Sequence, residues 1–141
     1  MVDKPLLQRK LILLEQKKKE LVSYDIASLK DFRAKGYMQK AVEKILQEMV
    51  EICIDVAKHI ISDEGLRLPE DAKDSFEVLS ENNVIDSQTT ETMKKMVGFR
   101  NLIIHLYEKT DVEIVFSIYK KRLGDFDLFA RQILKFLDQK V

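Results

Sequence analysis

Between positions 42 and 61, apolar side chains recur three and four residues apart. They are Val42, Ile45, Leu46, Met49, Val50, Ile52, Cys53, Val56, Ala57, Ile60 and Ile61. That period is helical, and the stripe it draws is wider than one face. A helix apolar on most sides lies at the centre of a bundle or against a partner subunit. The same period predicts a first helix over about 5–24, carrying Leu7, Leu11, Leu14, Leu21 and Val22. A short third helix is expected over about 70–80, with Phe76 and Leu79 inward. A fourth starts at Asp86 or Ser87 and reaches about position 106. A fifth opens on a capping box, Thr110 with Glu113, and runs through Phe116, Tyr119, Phe126 and Phe129 to Leu137, with a bend at Gly124. No stretch alternates as a strand would. Four Gly and two Pro in 141 residues are too few for a loop-rich β protein. The expected fold is all-α: one domain over 1–141, an antiparallel bundle of four long helices and one short one.

Charge narrows the function. Lys plus Arg and Asp plus Glu are 24 each, so the formal net charge is zero. Proteins that hold nucleic acid by general attraction carry a positive excess. Contact with RNA would have to run through a local site or a groove made by assembly. The lone Cys53 excludes a disulfide within the chain and fits a reducing cytoplasm. It reads as a small buried hydrophobe. No signal-peptide pattern opens the sequence, and no apolar run approaches the ~20 residues that span a bilayer. Two histidines and one cysteine without ligand spacing argue against a metal site, and no cofactor is implied.

The polar residues that stand out lie in Gly98-Phe99-Arg100-Asn101-Leu102-Ile103-Ile104-His105-Leu106-Tyr107. Arginine, asparagine, histidine and tyrosine crowd the end of an otherwise apolar helix, where polar groups are costly unless paired or used. Together they can hold a phosphate, move a proton near neutral pH and present a hydroxyl. Asn101 and His105 share a face; Arg100 and His105 stand about 140° apart on an ideal helix. Phosphodiester chemistry is the first reading, with Arg100 and His105 as candidate catalytic residues and Asn101 in support; the alternative is that His105 is a satisfied structural histidine. His59 reads as a partly buried structural histidine. The run Lys17-Lys18-Lys19 reads as a solvated face.

The spacing Arg100-x4-His105-x-Tyr107 resembles the motif of the HepT-like branch of the HEPN superfamily. Ala41-Val42-Glu43-Lys44-Ile45-Leu46-Gln47, Ala57-Lys58-His59-Ile60-Ile61, and Gly65-Leu66 with Pro69 extend the likeness over nearly the full chain. Lys44 departs from it, standing where arginine is often found. The resemblance implies a metal-independent endoribonuclease, the toxin of a prokaryotic toxin–antitoxin pair. Its partner would be an MntA-like nucleotidyltransferase antitoxin that silences it by adenylylation of Tyr107. It also implies a homodimer whose two motifs line one cleft, with RNA as substrate. The alternative is a non-catalytic helical dimer that binds nucleotide or a nucleotidyltransferase. A third reading is an accessory domain that docks a nucleotide-transferring enzyme.

Overall fold

A computed structural model describes residues 1–105 and 111–140, with His105 described by its backbone alone. Seven helices follow one another among the described residues: α1 (Lys4–Ser23), α2 (Leu29–Ala34), α3 (Gly36–Asp63), α4 (Ala72–Glu81), α5 (Ser87–His105), α6 (Val112–Lys121) and α7 (Leu123–Asp138). No strand occurs among the described residues. The all-helical class is as expected, but the count of five is not.

Two local features change the count. Ser28 accepts a hydrogen bond from the Asp31 N–H at 3.1 Å and caps a turn and a half that periodicity is too short to reveal. That turn, α2, seats the fully buried Phe32, whose ring packs 5.4 Å from Phe116. The long final helix breaks at Arg122 (φ −117°, ψ 3°), two residues before Gly124. The break divides its apolar positions between two jobs. α6 sets Val115 and Tyr119 against α2 and α3, and the Tyr119 hydroxyl accepts from the Ile26 N–H at 3.1 Å. α7 lays Phe126, Phe129, Ile133 and Leu137 along α1 and α5.

Aspartate caps the helices that matter for the site. Asp86 accepts from the Thr89 N–H at 2.8 Å and starts α5. α6 is capped by Asp111, which accepts from Glu113 at 2.9 Å and Ile114 at 3.4 Å, so the expected cap at Thr110 gives way to its neighbour. A carboxylate is the stronger acceptor against a helix N-terminus. Glu113, freed from a capping box, meets Arg33 at 2.8 Å. Thr110 itself lies outside the described residues.

α3 is the central helix. α1, α2, α4, α5 and α6 all pack on it, and its buried residues include Leu46, Met49, Val50, Cys53, Val56 and Ile60. Each fully buried aliphatic or aromatic side chain contributes about 1.5–3 kcal/mol. The wide stripe is therefore covered within the chain, and the argument from its width to a partner subunit falls away. Burial also pushes the Cys53 thiol far up, so it stays protonated and inert. The lysine run is not simply solvated. Lys17 reaches Glu48 on α3 at 3.3 Å and Lys18 reaches Asp127 on α7 at 2.5 Å.

The direction of α5 follows from its anchors. Gln132 on α7 holds Asp86, donating to its carboxylate at 3.1 Å. Lys140, beyond α7, meets Glu64 at the C-terminal end of α3 at 2.6 Å. α5 thus begins near the end of α3 and points back toward the α3 N-terminus, where Arg33 ties α2 to the start of α6.

The connection from α3 to α4 is fixed by Arg67. Its guanidinium holds Asp74 at 2.8 and 2.9 Å and Glu81 at 2.9 and 2.8 Å. Paired with Arg67, the Asp74 carboxyl sits at about 2, and the Glu81 carboxyl is also lowered. Values depressed by folding stabilise the fold above the ordinary carboxylate range, and that stability is lost as pH falls through it. An Arg67→Met variant is therefore expected to melt below the wild-type protein at neutral pH. The two should converge near pH 2, where Asp74 takes up its proton. Thermal melts across that range check this; a gap that stays constant with pH would refute it.

Candidate active site at the end of α5

Two stripes of α5 carry the polar residues toward its C-terminal end. Met93, Val97, Arg100 and Ile104 follow at spacings of four, three and four, which is the core-facing row. Met93 and Val97 are buried on it. Arg100 continues this row as the core runs out. It is half-buried, and its Nε is buried with no hydrogen-bond partner among the described residues. A buried guanidinium N–H without an acceptor costs about 1–3 kcal/mol. Such a group is open to an acceptor beyond the described residues.

The second stripe is Gly98, Asn101 and His105, at successive spacings of three and four residues. Asn101 is half-buried, one turn before His105, which is the last residue of α5. Arg100 therefore approaches from the core-side row and Asn101 from the row of His105, about 140° apart as the sequence implied. The helix alone does not bring Arg100 and His105 onto one face. The side chain of His105 and the whole of Tyr107 lie outside the described residues.

Beside the second stripe runs a groove of about 590 Å³ between α5 and the α6–α7 corner. Phe99, Leu102, Ile114 and Ile118 give it an apolar wall; Lys95, Arg122 and Asp125 give it charge. Leu102 and Ile114 are 45% and 44% exposed, unusual for residues that face each other across a groove. Burial pushes the Asp125 carboxyl up, and Arg122 pulls it partly back. Phe99 and Leu102 lay in the segment that stood out in the sequence, but without a role in a groove; Ile114, Ile118, Lys95, Arg122 and Asp125 gave no signal.

The other sequence candidates sort simply. His59 is part-exposed on α3, with Nε2 3.8 Å from Asp55, and serves the α1–α3 seam where Lys10 also meets Asp55. No group of three or more potential metal ligands occurs among the described residues. None of the described helices is long and apolar enough to cross a membrane.

Arg100 and His105 thus stand five residues apart toward the C-terminal end of one helix in an all-helical fold. The ribonuclease HepT-like family model matches residues 14–133, and the chain belongs to that family. By class it is an endoribonuclease. It is 37% identical over 98 residues to the mRNA nuclease HepT of Shewanella oneidensis, covering 70% of this chain and 74% of that one. It is 23% identical over 136 residues to the tRNA nuclease HepT of Aphanizomenon flos-aquae, covering 96% and 92%. A tri-AMPylated HEPN toxin of Shewanella oneidensis, solved in complex with MNT antitoxin, superposes with a TM-score of 0.86 at 30% identity. That match covers 96% of this chain and 99% of the other.

Proposed function

We propose that this protein is the toxin of a toxin–antitoxin pair and cuts RNA without a metal, through Arg100 and His105. The observation that carries the reading is the buried Nε of Arg100, without a partner among the described residues, in the Arg-x4-His-x-Tyr frame. The cut uses the RNA's own 2′-hydroxyl. A base removes its proton, the oxygen attacks the adjacent phosphorus, and the 5′-oxygen of the next nucleotide leaves with a proton from an acid. The products are a 2′,3′-cyclic phosphate and a free 5′-hydroxyl. His105 supplies proton transfer, worth typically 10²–10⁴-fold. Arg100 offers its planar fork to the phosphorane oxygens. Asn101 orients His105 or the phosphate.

One histidine does not readily serve as base and acid in the same step. A homodimer supplies the second, His105 of the partner subunit. The exposed Leu102 and Ile114 beside the motif support such an assembly. RNA cleavage by unmodified protein in EDTA tests the reading. A cyclic phosphate product is expected, and a 2′-deoxy nucleotide at the cut should block it. Failure to cut either transfer or messenger RNA would leave a binding module in its place.

The relative solved with its antitoxin is AMPylated, and Tyr107 is the residue proposed for that chemistry here. Its hydroxyl would attack the α-phosphorus of ATP on a nucleotidyltransferase partner and release pyrophosphate. The added AMP is bulky and anionic, so it would exclude RNA and compete for Arg100. Tyr107→Phe should cut RNA at the wild-type rate and stay active in the presence of the partner and ATP. Covalent silencing of that variant, seen as an added AMP mass, would refute the assignment.

A further inference from the structure

We propose that Lys73 positions the RNA by gripping a phosphate that flanks the one being cut; this rests on the ribonuclease reading above. Lys73 lies in the first turn of α4 and is exposed. Its Nζ stands 3.6 Å, and its Cε 3.8 Å, from where a Cβ on Gly98 would lie. Gly98 is the first member of the stripe that continues to Asn101 and His105. The ammonium therefore overhangs the catalytic row two turns before its end, about 10 Å along the helix axis from His105.

Two neighbouring cations, Lys94 and Arg67, are already engaged. Lys94, one turn earlier on α5, pairs with Glu77 at 2.8 Å and Glu91 at 3.6 Å. Arg67 is saturated by Asp74 and Glu81. Lys73 makes no ion pair among the described residues, so its charge does not fasten α4 to α5. Gly98 also lines the groove between α5 and the α6–α7 corner, together with Lys95 and Arg122, so the helix position that Lys73 overhangs is part of the groove wall. In a chain of zero net charge, uncommitted cations beside the scissile position are what an RNA backbone can find.

The test is steady-state cleavage of a single-stranded RNA by the full-length unmodified protein, with binding measured over a series of salt concentrations. Lys73→Ala should raise KM about fivefold while kcat stays within about twofold. The slope of log affinity against log salt should shrink by about 0.7, the share of one single-strand phosphate. Lys73→Arg should restore both. Lys58→Ala, which removes the same charge from the exposed surface of α3, should change neither. Unchanged KM and slope in Lys73→Ala beside a wild-type protein that cuts RNA would overturn this proposal alone. So would a fall in kcat at constant KM, or a loss confined to AMP transfer by the partner, which would make Lys73 a protein contact. A wild-type protein that cuts no RNA would overturn the underlying reading.

Discussion

His105→Ala is expected to lower the rate of RNA cleavage in EDTA by at least ~10²-fold, with binding of uncut RNA little changed. The reason is chemical. Without the imidazole, no group with an ordinary pKa near neutrality remains in Arg100–Tyr107 to take the 2′-hydroxyl proton. Mixing His105→Ala with an active protomer carries further information. If each cleft needs both histidines, mixed dimers are inactive, and activity falls faster than the active fraction. Activity that follows the active fraction linearly would show that one histidine suffices. A His105→Ala protein that cuts as well as the wild type would end the assignment.

The second large effect concerns Arg100, and it has two opposite signs. Arg100→Met keeps the length of the apolar stem and removes the buried Nε that has no partner among the described residues. Losing an unsatisfied buried polar group should stabilise the fold by about 1 kcal/mol, or about 3 °C in Tm. Cleavage should fall by about 10²–10³-fold, as when a preorganised charge donor is taken from a transition state. Gain of stability with loss of activity would mark a residue kept for function at the fold's expense. A variant that melts lower would show that Arg100 holds the bundle end together; one that cuts normally would remove it from the mechanism.

Particular elements show why some of this was legible in one dimension. The α3 stripe and the α5 start at Asp86 were plain, because helical period and capping are local rules that act within a few residues. The Arg100–His105 spacing was plain for the same reason. α2 was missed because six residues hold less than two turns, too few for a period to emerge. The break at Arg122 was missed because Gly124 drew attention two residues downstream, while the division of apolar side chains between α6 and α7 depends on what they pack against. Lys73 gave no signal at all. Its meaning comes from crossing Gly98, 25 positions away in the chain.

The sequence by itself determined the helical class, the breadth of the α3 apolar stripe and the motif that defines the family, since each rests on neighbours within a turn or two. Tertiary structure decided that the broad face of α3 is spent inside the monomer rather than on a partner. It decided that Arg100 leaves the core with a buried N–H that has no partner among the described residues, and that Lys73, without an ion pair among them, overhangs the row leading to His105. These are facts of distance between segments, and hydrophobic burial and Coulombic attraction act across space without regard to separation along the chain.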